Sequence, residues 1–270
     1  MKLKELLYIF GFKPSIKFFP VVKEKIGYWK GSDIHAYQWK TPKSDGFKLD
    51  TKLVQELTSF INPGDTAIDI GAHVGDSTIP IALACGPEGT VFAFEPNPVV
   101  FQTLTKNSIL NKPLMNIVAI PFAATENDCV LDFGYSDPWL ANGGDKSSFG
   151  WRGGHAFKVP VSGANPCKLL NKNFSKELQN LKYIKIDVEG LDFFVLLQLE
   201  SLIKHYRPFI KFEIAKFTTT ENRKNLWSFF VDKGYSFRLV GNDGVLFGQE
   251  AGEESFYLRH SCDIFCIPNA

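Results

Sequence analysis

The run Thr66-Ala-Ile-Asp-Ile-Gly-Ala-His-Val-Gly-Asp-Ser-Thr-Ile-Pro-Ile-Ala constrains the fold more than any other stretch of the chain. Ala67 to Ile70 form a short, mainly apolar run with β-branched residues, as expected of a buried parallel strand. The chain turns at Gly71, and from about Val74 the spacing of Ile79, Ile81, Ala82 and Leu83 predicts a helix. A strand that ends in a glycine turn and feeds a helix aims free N–H groups and a positive dipole end at one crevice. Gly71 and Gly75 lack the Cβ that would hold a ligand away from the backbone.

The spacing Asp69-x-Gly71-x-x-x-Gly75 is not the Gly-x-Gly-x-x-Gly of a dinucleotide site. An acid beside the turn repels a pyrophosphate but suits the ammonium group of S-adenosylmethionine. The next strand-like run, Thr90 to Phe94, leads into Glu95-Pro96-Asn97. An acid about twenty residues beyond a glycine turn is placed to accept both ribose hydroxyls. Pro96-Asn97-Pro98 then opens a helix to about Asn111, because proline is tolerated in a first helical turn. Residues 116–124 read as a third strand, where the small Ala123 and Ala124 either leave room for an adenine ring or simply pack. Strand, helix, strand, helix, strand in this order means right-handed crossovers and a parallel sheet.

A doubly wound α/β fold commonly uses 270 residues as one domain. Residues 1–47, aromatic and basic, are expected to form a small N-terminal lead-in of helix and short strands, either packed on the edge of the main fold or capping the substrate side. Residues 48–270 form that fold. A net charge of +1 gives no global field for a polyanion, which argues against nucleic acid as a partner. Five cysteines at scattered spacings point to reduced thiols and a cytoplasmic protein. The apolar patch in Met1 to Phe10 is too short and interrupted for a signal peptide or a transmembrane segment. Between Gly134 and Gly154 a polar, Gly-rich stretch carries Trp139 and Trp151, which suits either a carbohydrate contact or a surface loop.

A second informative stretch is Tyr183-Ile-Lys-Ile-Asp-Val-Glu-Gly-Leu-Asp. The strand Tyr183 to Ile186 ends in Asp187, and a helix runs from about Gly190 to Ile203. A further strand from Pro208 ends comparably in Glu213. Lys185 and Lys211 each precede one of these acids by two positions and share a face with it. Charges inside central strands are costly unless paired, so Lys–Asp and Lys–Glu pairing between the two strands is one reading. The other puts Asp187 and Glu213 beside the reacting group, holding an acceptor hydroxyl, taking its proton or ligating a divalent cation. Glu189 and Asp192 sit at a helix N-terminus, where acids stabilise the dipole, and Glu189 is also placed to touch substrate.

Asp69-x-Gly71-Ala72-x-x-Gly75, Glu95-Pro96-Asn97, Lys185-Ile-Asp-Val-Glu-Gly190, Arg207-Pro-x-Ile-x-x-Glu213 and Asp263-Ile-Phe-Cys-Ile-Pro268 together resemble the FkbM family of S-adenosylmethionine-dependent methyltransferases. The resemblance spans residues 48–268 and is most specific at Lys185 to Gly190. It implies a Rossmann-like, doubly wound, seven-stranded class I methyltransferase sheet whose last two strands form an antiparallel hairpin, here residues 235–240 and 262–267. It implies a cofactor crevice of Asp69, Gly71, Ala72, His73, Gly75, Glu95, Pro96, Asn97 and Ala123, with Asp187, Glu189 and Glu213 on the side of the chemistry. His73 stands where the family commonly shows Asn. The implied reaction is O-methylation of a small-molecule or glycan acceptor, often at a sugar hydroxyl. Two other classes share this sheet. A nicotinamide oxidoreductase is disfavoured by the glycine spacing, and a non-catalytic scaffold for glycan assembly would transfer no methyl group. Pro166-Cys167 precedes the Asp187 strand instead of following it, so it reads as a helix start and not as a base-methylating nucleophile.

Overall fold

The structure, a computed structural model, describes residues 15–41, 44–135, 138, 140, 143–145, 157–188, 190–241, 244–257 and 260–269. It opens with a hairpin of β1 (Val21–Trp29) and β2 (Ser32–Trp39). Helix α1 (Thr51–Leu57) begins at Asp50, whose side chain accepts the Leu53 N–H in the manner of an N-cap. Strand β3 (Thr66–Ile70), helix α2 (Thr78–Cys85), strand β4 (Thr90–Phe94), helix α3 (Pro98–Leu110) and strand β5 (Ile117–Ile120) follow in strict alternation. Both β3 and β4 are buried at every residue, as parallel strands covered on two faces must be.

The chain then leaves this sheet. Pro121 ends β5, and β6 (Ala123–Ala124), β7 (Cys129–Tyr135), β8 (Gly143–Asp145) and β9 (Phe157–Ala164) form a second sheet in the order β6-β9-β7-β8. The single strand expected over residues 116–124 is therefore two. Helix α4 (Pro166–Asn173), capped by Asn165, leads back to β10 (Leu181–Ile186). After α5 (Asp192–Gln198) and α6 (Glu200–Tyr206) come β11 (Phe209–Ile214), α7 (Thr220–Val231) and β12 (Tyr235–Leu239). The short α8 (Glu253–Phe256) precedes β13 (Cys262–Pro268).

The central sheet has seven strands in the order β12-β13-β11-β10-β3-β4-β5. Strands β11, β10, β3, β4 and β5 are mutually parallel, and β13 runs antiparallel between β11 and β12. This is the doubly wound, seven-stranded α/β architecture expected from the sequence. Alternate residues of β10 serve opposite cores: Ile184 and Ile186 pack with Leu196, Ile203, Phe212 and Phe230, while Tyr183 packs with Leu57, Ile81 and Phe265. The β1–β2 hairpin shares the second of these cores through Ile26, Ile34 and Ala36. Polar bonds to α3 fix it further. Asn107 Oδ1 accepts the Tyr37 N–H at 2.6 Å, and Asn111 Nδ2 donates to the His35 carbonyl at 2.8 Å.

Phe230 is fully buried and stacks on Phe212 with ring centroids 5.3 Å apart. Phe230→Ala should therefore cost about 3–5 kcal/mol of stability. The check is the denaturant midpoint measured by far-UV circular dichroism.

Candidate active site

At the carboxyl end of β3 the backbone turns through residues that cannot be helical. Gly71, His73 and Gly75 all have positive φ, at 84°, 49° and 95°. This delays α2 to Thr78, four residues past the start read from the apolar spacing. The Gly71 and Ala72 N–H groups both donate to the Phe94 carbonyl at 3.0 Å, and the Asp187 N–H donates to the Ile70 carbonyl at 3.0 Å. A Cβ on Gly71 would lie 2.0 Å from the Asp187 carbonyl oxygen, and one on Gly75 would lie 3.3 Å from Leu104 Cδ1. Close packing against the residue after β10 and against α3 thus requires both glycines, a reason separate from any ligand approach. Ala72 is fully buried and, like Gly75, stands behind the turn, whereas Gly71 and His73 reach the cleft.

Asp69 is likewise fully buried, and its carboxylate is engaged inside the protein. Oδ2 accepts the hydroxyls of Ser77 at 2.9 Å and Thr78 at 2.7 Å. Oδ1 lies 3.2 Å from Lys185 Nζ, an ion pair whose angles are not those of a hydrogen bond. Its reading as a direct partner of a ligand's ammonium group gives way to that of an internal counter-ion. Lys185 also approaches Asp187 Oδ2 at 3.6 Å and the Gly71 carbonyl at 3.5 Å. Burial pulls the Lys185 ammonium towards its neutral form, but the Asp69, Asp187 and Asp76 carboxylates outweigh this and hold it above the ordinary lysine range. In register, Lys185 lies opposite Lys211 on β11 and Asp69 on β3. Two facing lysines turn away from each other: Lys185 pairs with Asp69, and Lys211 contacts Asp263 of β13. These pairs reach outward from β10 and β11, whereas one reading of the sequence pairs the charges between those two strands.

Glu95, directly after β4, is buried, and each of its oxygens takes one backbone N–H. His73 donates to Oε2 at 2.9 Å and Asn97 donates to Oε1 at 2.8 Å. Burial pushes the Glu95 carboxyl up to about 7, and the Asp69 charge adds to this against the pull of the two N–H groups. Asn97 also caps α3 by accepting the Val99 N–H at 3.0 Å, and it donates to the Leu140 carbonyl at 2.7 Å. His73 Nε2 is buried with no hydrogen-bond partner among the described residues. Burial holds its imidazole below the ordinary value, with Lys185 acting in the same direction and Asp76 and Asp187 opposing.

These groups line a cleft of about 920 Å³ at the carboxyl ends of β3, β4 and β10. Gly71, His73, Glu95, Pro96, Asn97, Ala123 and Asp187 all reach it. Among the described residues it is lined by four acids, Asp76, Glu95, Glu126 and Asp187, and one lysine, Lys185, so it favours a cationic ligand. Glu213 is elsewhere: it lines a second cavity with Lys211 and Asp263. Its backbone N–H donates to Asp192 Oδ1 at 3.1 Å, and the Gly190 N–H donates to Asp192 Oδ2 at 3.3 Å. Asp192 thus ties the ends of β10 and β11 together, beyond its expected effect on the helix dipole. Glu189 and most of the Gly134–Gly154 stretch lie outside the described residues. Lys185 and Ser77, which border both cavities, were not among the site residues read from the sequence. The signal for Lys185 was its position, a cation inside a strand that must be buried. Among the described residues no group of three or more His, Cys, Asp or Glu side chains could hold a metal ion, and no helix is long and apolar enough to cross a membrane. All five cysteines are free thiols.

Removing one member of a buried ion pair strands the other. Asp69→Ala should lower stability by about 3–5 kcal/mol, and Asp69→Asn, which keeps an acceptor for Ser77 or Thr78, should lower it less. Parallel urea titrations of the two variants read the difference.

Comparison with known proteins bears on this arrangement. The family model described as the methyltransferase FkbM domain matches residues 69–237. The hexuronic acid methyltransferase AglP of Haloferax volcanii is 26% identical over 182 residues, covering 66% of this chain and 67% of that protein. The crystal structure of methyltransferase FkbM from Methylobacillus flagellatus aligns with a TM-score of 0.46 at 13% identity, over 79% of this chain and half (50%) of that one. A SAM-dependent O-methyltransferase from Thermotoga maritima aligns with a TM-score of 0.46 at 11% identity, over 85% and 69% of the two chains. The family match runs from the buried Asp69 through the whole cleft to Phe237 in β12, and the chain belongs to the FkbM family of methyltransferases.

Proposed function

We propose that the protein transfers the methyl group of S-adenosylmethionine to a hydroxyl oxygen of a sugar-bearing acceptor. The observation that carries this reading is the Glu95 carboxylate, buried at the cleft and held by two backbone N–H groups. With one donor on each oxygen, the carboxylate keeps lone pairs for two adjacent hydroxyls, which is what a ribose presents. The excess of acids around the cleft suits a ligand carrying a sulfonium and an ammonium group. The volume falls within the about 300–1,000 Å³ of small-molecule sites. Glu95, His73 and the Gly71 turn would hold the cofactor, and Ala123 with Phe122 would flank its base. When bound, S-adenosylmethionine supplies a methyl group already activated by its positive sulfur.

The protein's own task is then to place an acceptor oxygen and receive its proton. Asp187 is the group positioned for this. It follows β10, lines the cleft, and its side chain is 48% exposed while remaining 3.6 Å from Lys185. The ammonium keeps the carboxylate oriented, and the exposure leaves it accessible to an acceptor hydroxyl. Glu213 opens on the other cavity, so shared ligation of one divalent cation by Asp187 and Glu213 forms no part of the proposal. The AglP relative, named for a hexuronic acid, supports a sugar as acceptor.

Calorimetric titration with S-adenosylhomocysteine, with NAD in parallel, tests the cofactor. Binding of the first alone is expected, and binding of NAD alone would overturn the reading. The raised carboxyl of Glu95 adds a pH signature. Its ionised form is the acceptor, so affinity should grow as pH rises through about 7 and fall about tenfold or more from pH 7.5 to 5.5. Glu95→Gln should flatten this profile and cost about 1.5–3 kcal/mol of affinity at pH 7.5. Asp187→Asn should cut labelled methyl transfer to hexose and hexuronic acid glycosides far more than it changes cofactor affinity. Full turnover in that variant would return Asp187 to a structural role.

A further inference from the structure

The second cavity has no part in the cofactor site, yet it shares two of that site's residues. It measures about 580 Å³ and opens at the carboxyl ends of β10, β11 and β12, the end of an open α/β sheet where ligands bind. Ser77 and Lys185 border it on one side and the cofactor cleft on the other. A ring seated here would extend a hydroxyl past Ser77 and Lys185 into the cofactor cleft, towards Asp187, whose carboxylate is 3.6 Å from that ammonium. On the strength of the cofactor reading above, we infer that this cavity is the acceptor subsite and that it takes a hydroxylated sugar ring.

The lining supports a sugar over the other ligand classes. Lys185 and Lys211 are balanced by Glu213 and Asp263, so neither a polyanion nor a polycation is favoured by net field. The Lys211 ammonium contacts Asp263, and its side chain is 18% exposed against 36% for Asp263. Donor and acceptor therefore stand side by side at the cavity wall. A sugar hydroxyl both donates and accepts, and a ring carrying several of them matches such neighbours. Apolar lining comes from the partly exposed Leu53, Leu239 and Val240, which would meet the C–H face of the ring. Two wall residues, Gly241 and Gly244, bring backbone without side chain to the rim, and the exposed His260 stands at the opening.

Saturation-transfer NMR with methyl glucoside and methyl glucuronide as probes tests this. S-adenosylhomocysteine titration of the same samples reports on the cofactor site and on folding. In the unaltered protein at least one glycoside should receive saturation at its ring protons. In Lys211→Met that signal should fall at least threefold while S-adenosylhomocysteine still binds. Should Lys211→Met fail to fold, His260→Ala, altered at an exposed residue, carries the same comparison. Glycoside signals that persist unchanged in folded variants would overturn the subsite, as would their absence from a protein that binds S-adenosylhomocysteine. Failure to bind S-adenosylhomocysteine beside a variant-sensitive glycoside signal would instead sink the cofactor reading and leave a sugar site standing.

Discussion

The structure depends on a buried ion pair between Asp69 of β3 and Lys185 of β10. Two charges in the middle of a sheet carry a desolvation cost that only close pairing and further polar contacts can offset. Here Ser77 and Thr78 supply hydroxyls to the acid, while Asp187 and the Gly71 carbonyl attend the ammonium. The two strands it joins lie at the topological switch point. From β3 the sheet grows one way through β4 and β5, and from β10 it grows the other way through β11. Such a crevice is where open α/β sheets bind ligands. The same two charges thus fix the strand pairing at the switch point and set the electrostatics of the cavities on either side.

Glu95 shows how a site can be legible from sequence while its support is not. An acid closing the second strand after a glycine turn marks this position in the sequence alone. Its upward shift depends on burial, which needs the packed structure. The glycines were legible as a turn, but the reason for them was not: the atoms they avoid belong to Asp187 and Leu104, distant in the chain. Asp69 was misread in the same way, since an acid beside a turn carries no mark of whether it faces the ligand or a lysine more than a hundred residues on.

The seven-stranded sheet was readable because each of its parallel strands announces itself as an apolar run bounded by turns. The second sheet was not. Cys129 to Tyr135 and Phe157 to Ala164 begin with exposed or partly covered residues and are buried only towards their ends, and a Gly-rich stretch separates them. Half-exposed strands paired across such a gap carry no local signal strong enough to distinguish them from loop. Partner choice between charged residues escaped for a related reason. Lys185 and Lys211 become neighbours only once strand register is known, and their repulsion sends each to the acid on its far side.

The place of β13 has a consequence for how the chain assembles. It follows every other strand of the sheet in the chain, yet it lies between β11 and β12 and bonds to both. During synthesis β11 emerges with one edge bare, and β12 has no neighbour to join. Unpaired edges of this kind attract other chains. The nascent domain therefore carries an adhesive face until Cys262 to Pro268 thread into the gap. Asp263 arrives with that strand to meet Lys211, so the second cavity is finished by the same event that seals the sheet.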